Sequence, residues 1–307
     1  MLNLRGASLE NSSKPHPERF RARNDRIEEG YRVITRRDMD VLQPKMKGSK
    51  VESIFKRGSQ HKDAVIFLGL CALLLFLGMR GLPGNPSEQD INTDTWKQDG
   101  PFELSPDRGR FALLYSIAEN HSLRFSLPLA RFAAPHVAQS PFGGYTSLFA
   151  PGLSFLLVPG YVVGKWMGVA QVGASATIAI SAILNAWLIR WIIIRLGGVR
   201  WAGSVAGLAF LFATPAFTYA VSLYQHHLST LLILSSIALL IRFPRWQAVA
   251  GVWFLYAVGI VVDNPNAFLL FPIVIWALIR SIEIRHGKTY AEMRFRVLYA
   301  IAMFAAI

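Results

Sequence analysis

Cysteine is almost absent from this 307-residue chain: Cys71 is the one present, so neither an internal disulfide nor a cysteine metal cluster can form. Acid is scarce as well, with 19 Asp+Glu against 32 Lys+Arg and a net charge of +13. A secretory leader is excluded, because the first apolar run begins only at Ala64 and no small-residue cleavage site follows it. A phosphate loop is excluded too, since Gly160 to Lys165 lacks the required spacing and the Ser/Thr. No period recurs along the chain, and no ionisable residue falls in the middle of an apolar run, Arg190 lying close to the inner end of its own. Both features would be expected of a transporter.

What remains is apolar. Hydrophobic residues make up 52% of the chain, more than an ordinary soluble domain carries, so the bilayer is expected to be part of its solvent. The charge is unevenly spread: residues 1–62 hold 15 Lys+Arg against 8 Asp+Glu, a surplus of +7 out of +13. This segment has no sustained apolar period and reads as a disordered basic tail with a short helix near 24–35. Such tails can bind nucleic acid or anionic lipid. The plainer reading is a solvated cytoplasmic tail that sets topology, with no nucleic-acid partner.

Candidate spans are 64–82, 172–194, 201–223, 225–242, 247–262 and 267–280, with another begun at 297 and unfinished at Ile307, as if the chain were part of a longer protein. The run 149–164 is short and interrupted by Pro151 and Pro159. If it does not cross, Arg195, Arg200, Arg242, Arg245 and the basic residues of 280–296 all face the cytoplasm, and the turns 224–227 and 263–266 face outward without a single Lys or Arg. Crossing would invert every assignment, so 149–164 is read as a juxtamembrane or re-entrant helix. Its Gly160, Gly164 and Gly168 offer a smooth face for a neighbouring helix. The expected architecture is an all-α polytopic membrane helix bundle over 63–307, with an external segment 83–171 carrying juxtamembrane helices.

On the external side the stretch "SPDRGRFALLYSIAEN" reads as a capped helix: Ser105 as N-cap, Pro106 at the first position, Asp107 in the first turn. Phe111, Leu114, Tyr115 and Ala118 follow at helical spacing, as an apolar stripe able to lie on a membrane surface. The helix start would lower the Asp107 pKa. His226, His227 and Asp263 fall on the same side. Because His226 and His227 are adjacent they point to different faces of a helix, which argues against a zinc pair.

An acid opening an external helix, then Gly144-Tyr145-Thr146-Ser147 running into "APGLSFLLVPGY", then an Arg-ended span and "ATPAFTYAVSLYQHHLSTLLILSSIALL", resembles the GT-C superfamily of integral membrane glycosyltransferases, including protein O-mannosyltransferases and aminoarabinose transferases. The resemblance covers about 64–280. It implies transfer of a sugar from a polyprenyl-phosphate donor to an acceptor on the external face, with the lipid-linked donor and membrane lipids as partners. It also implies Asp107 as the catalytic or metal-associated acid. Many members read Asp-Glu there, whereas Asp107-Arg108 stands here, so the missing carboxylate argues against a divalent metal and for a general base or a substrate contact. Arg108, Arg110, Tyr145, His226, His227 and Asp263 are the candidate substrate-binding residues, with an Arg or a protonated His226 holding the departing phosphate. A lipid-linked-sugar flippase and a non-catalytic membrane scaffold are the competing classes.

Overall fold

The apolar runs become helices of unequal continuity. The computed structural model describes residues 50–282 apart from 99, 142, 244 and 245, so the tail helix near 24–35, the basic residues of 283–296 and the run from 297 lie outside the described residues. In chain order come α1 (Lys50–Gly78), a 3-10 turn at Asp90–Asn92, α2 (Asp94–Gln98), α3 (Ser105–Asn120), β1 (Arg124–Phe125), α4 (Leu127–Ala133), β2 (Val137–Gln139) and β3 (Tyr145–Ser147). These are followed by α5 (Gly152–Trp166), α6 (Ala170–Arg195), α7 (Arg200–Phe212), α8 (Ala216–Ala220), α9 (His226–Arg242), α10 (Trp246–Val262), α11 (Asn266–Leu269) and α12 (Phe271–Ile282).

The chain is thus mostly helical, but a three-stranded antiparallel sheet of order β1-β3-β2 interrupts the helices. Tyr145 stands opposite Phe125 on one side and Gln139 on the other. Gly143 and Gly144, at φ 82° and 79°, reverse the chain between β2 and β3 in a backbone region that side-chain-bearing residues avoid.

Two expected spans are broken. The run 201–223 divides into α7 and α8, because Pro215 cannot continue the ladder; Thr214 Oγ1 bridges the break, donating to the Phe210 carbonyl at 2.6 Å and accepting from the Ala216 N–H at 3.2 Å. The run 267–280 divides into α11 and α12 just before Pro272. Among the described residues one helix, α6, is long and apolar enough to cross a membrane; α7, α9, α10 and 266–279 are shorter apolar helices.

α5 lies along α6 at backbone contact. A side chain on Gly160 would collide with the Gly173 carbonyl, and one on Gly164 would sit 2.8 Å from the Gly173 Cα. Gly168 does something else: at φ +74° it closes the turn between the two helices. At the far end of α5, Gly152 is pressed against the backbone of Val261 and Val262. The turn after α5, where Gly84 bridges Val169, is therefore separated from the loop 263–265 by the length of α5, about 21 Å at 1.5 Å per residue.

α3 is the centre of this arrangement. Residues Gly109 to Ser116 are buried without interruption, so the expected membrane-surface stripe is instead a helix enclosed on all sides. Its Phe111 ring lies 4.8 Å from Phe102, which lies 5.5 Å from Phe132. Polar ties hold the surroundings: Glu88 accepts from Asn120 and Ser126, each at 2.6 Å, and Glu119 from Lys165 at 2.7 Å and Tyr161 at 2.9 Å.

Candidate active site

The start of α3 differs from its sequence reading. Leu104, in extended conformation, is the N-cap and gives no side-chain cap. Ser105 is already helical, and its hydroxyl is hydrogen-bonded with His136 Nε2 at 3.0 Å. Asp107 is 1% exposed, and its Oδ1 accepts the Leu223 N–H at 3.0 Å. Oδ2 has no donor among the described residues. Burial pushes its pKa up to about 7, against the pull of Arg110, the Leu223 N–H and Arg108. Loss of water outweighs the helix-start field that was expected to lower it.

Arg110 follows one turn later, on the same face of α3. It is also buried. Its Nη2 donates to Gln225 Oε1, and Gln225 Nε2 donates to Asp263 Oδ2 at 3.0 Å. The amide thus turns its oxygen to the cation and its nitrogen to the anion, the orientation that satisfies both. The guanidinium lies between two rings, 4.3 Å from the Phe149 centroid and 4.8 Å from that of Tyr224. Gly109 permits this, because a side chain there would come within 2.7 Å of Phe149. Burial lowers the Arg110 pKa while Asp107, Tyr224 and Asp263 raise it; a guanidinium remains a cation under such shifts. Asp107 and Arg110 attract one another without forming an ion pair. Arg110 Nη1 is buried and has no acceptor among the described residues.

Of the residues singled out from the sequence, Asp107, Arg110, His226 and Asp263 come together. His226 joins through Tyr224, on which it stacks at 5.6 Å and 9°, and through Tyr219 at 4.3 Å. Three others are employed elsewhere. Arg108 Nη1 donates to the carbonyls of Lys97, Phe102 and Glu103 at 3.2, 2.8 and 3.2 Å, tying down the chain before α3 instead of facing a phosphate. Tyr145 is held in β3, packed on the aromatic core. His227 uses both ring nitrogens, Nε2 with the Ala216 carbonyl at 2.7 Å and Nδ1 with the Asn185 amide at 3.2 Å, which makes it a clamp between helices.

The sequence reading passed over Gln225, Tyr224 and Phe149. Gln225 had a signal: it is an amide beside two histidines at the head of an apolar helix, where a polar group needs a partner. Among the described residues no group of three or more His, Cys, Asp or Glu is arranged to hold a metal ion. Arg110 already supplies the positive charge beside Asp107 and Gln225, so this donor set does not fit a divalent cation. No family model, no curated protein and no solved structure matches this chain.

Proposed function

We propose that this protein is an integral membrane glycosyltransferase that moves a sugar from a polyprenyl-phosphate donor to an acceptor hydroxyl on the external face. The observation that carries the reading is the pairing, one helical turn apart, of a buried carboxyl and a buried guanidinium whose Oδ2 and Nη1 have no partner among the described residues. Base and anion holder stand side by side without neutralising each other.

In this reading Asp107, ionised, takes the proton of the acceptor hydroxyl as its oxygen bonds to the anomeric carbon. The bond from that carbon to the phosphate oxygen breaks, and polyprenyl phosphate leaves with the electron pair, its charge received by Arg110. A carboxyl with a pKa of about 7 is a stronger base than an ordinary aspartate and still substantially ionised at neutral pH. Gln225 and Asp263 hold Arg110 in place, and the Tyr224, Tyr219 and His226 rings offer a surface on which a sugar can stack.

The membrane reading is supported by large apolar side chains left exposed along the helices, among them Phe76, Ile180, Leu184, Val205 and Phe254, which water does not favour and lipid does. In that setting α6 spans and the shorter apolar helices complete a polytopic bundle, with the N-terminus and 195–200 in the cytoplasm. The site would be recessed among the helices, where a lipid-borne donor can enter sideways.

The test is transfer of labelled sugar from polyprenyl phosphate by the full-length protein in reconstituted membranes. Asp107→Asn and Arg110→Met should each lower turnover by about 100-fold or more. Near-wild-type turnover in both variants overturns the site. Passage of the intact donor across the bilayer without cleavage replaces this function with that of a transporter.

A further inference from the structure

Asp263 has one carboxylate oxygen to spare. Its Oδ2 accepts from Gln225 Nε2 at 3.0 Å, and among the described residues nothing donates to Oδ1. The residue is half-buried and Oδ1 stays accessible to an incoming group. The backbone that carries it is fixed. The Asp263 N–H donates to the Gly259 carbonyl and its own carbonyl accepts from the Asn266 N–H, both at 3.0 Å, while Val261 and Val262 are pressed against Gly152 at the start of α5. Phe149, which covers the Arg110 guanidinium, stands three residues before Gly152. The open oxygen is thus held beside the site by packed backbone.

Gln225 sets the distance from this oxygen to the reacting groups. Arg110 and Asp263 touch the two ends of its amide, so guanidinium and carboxylate are no more than about 8 Å apart, the length of two hydrogen bonds and one amide. A pyranose with its hydroxyls fills such a span. The neighbours of Gln225 in sequence supply the floor: the His226 ring is exposed and stacks on Tyr224. The charge of Asp263 is felt at both Arg110 and His226. Within this cluster Arg110 is the cation, and it already faces two carboxylates, Asp107 and Asp263. Arg108 is bound to the carbonyls before α3.

Resting on the glycosyltransferase reading above, we propose that Asp263 is a specificity-determining residue for the transferred sugar: its Oδ1 accepts a ring hydroxyl, which restricts the donor to neutral sugars and excludes uronates. With the donor phosphate at Arg110 Nη1, a sugar lying over the Tyr224 and His226 rings reaches Asp263. A hydroxyl there completes the hydrogen bonding of the carboxylate. A carboxylate on the sugar brings like charges together in a partly desolvated site and finds no cation to offset them.

The experiment follows consumption of labelled donor by the full-length protein in reconstituted membranes. The donors are polyprenyl phosphates carrying glucose, mannose or galactose, each beside the uronate of the same stereochemistry. For the sugar that is used, wild type should show a kcat/KM at least about 30-fold above that for its uronate. Asp263→Asn keeps an oxygen for Gln225 Nε2 and presents an N–H where Oδ1 stood. It should lower kcat/KM for the neutral sugar by about tenfold and raise that for the uronate, so that the preference shrinks to about threefold or less. A fall by the same factor for both donors means that Asp263 only holds Gln225, and overturns the proposal. Equal use of both donors by wild type overturns it as well. If Asp263→Asn fails to fold, monodeoxy forms of the neutral donor are given to wild type: one of them should lose about tenfold in kcat/KM, and equal use of all of them refutes the hydroxyl contact. Consumption of no donor of either kind removes the glycosyltransferase reading and this inference with it, whereas consumption without regard to sugar charge removes this inference alone.

Discussion

Replacing Asp107 by asparagine removes one ionisation and little else. The amide keeps an oxygen to accept the Leu223 N–H, and no donor to Oδ2 is lost. In the folded chain burial holds the carboxyl pKa near 7, against an ordinary 3.8. Between these values the folded state keeps a proton that the unfolded state has released, so this group's contribution to stability is full below about pH 4 and falls as pH rises toward 7. At about 1.36 kcal/mol per unit, the loss between pH 5 and pH 7 is roughly 2 kcal/mol, and it levels off above the folded pKa. Asparagine does not titrate. The variant should therefore resemble wild type only near pH 4 and below and be the more stable protein at pH 8, by roughly 4 kcal/mol, while losing sugar transfer. Thermal unfolding of both proteins in the same detergent at pH 5, 6, 7 and 8 measures the difference. A wild-type-minus-variant gap that does not change with pH refutes the burial argument. A gap that opens the other way, with the variant weaker at pH 8, means that the ionised carboxylate is stabilised by partners stronger than Arg110 and the Leu223 N–H.

Gly160→Val should disrupt the α5–α6 contact, because the new Cβ meets Thr177 and the Gly173 carbonyl; we expect about 1–3 kcal/mol of destabilisation, whereas Gly69→Ala, with open space around it, should be tolerated, and denaturant melts compare the two. In a chain whose Cys71 is replaced by alanine, a cysteine at Gly198 should be labelled by a membrane-impermeant reagent only from the cytoplasmic side and one at Asn264 only from outside; the reverse pattern inverts the proposed topology, and labelling of both from one side abolishes it.

The sequence by itself settled what depends on neighbours along the chain. The apolar runs became helices, Pro106 and Asp107 fell in the first turn of a helix over Ser105–Asn120, and Gly160 with Gly164 formed the close face of α5, since composition and spacing decide these locally. Two local signals were present and passed over: Gly143-Gly144, which turns a hairpin, and Thr214-Pro215, which ends α7. Tertiary structure decided the rest. Whether Asp107 is an exposed helix-start anion or a buried carboxyl depends on segments as distant as the Leu223 backbone, 116 residues away. Arg108 and Arg110 are both cations beside one acid in sequence, yet one serves loop carbonyls and the other the site. His226 and His227 divide in the same way, into a ring facing Tyr224 and a clamp to Asn185. Charge and residue type travel with the sequence. Desolvation and hydrogen-bond geometry, which set a pKa and a side chain's role, arise only when distant segments close over the group.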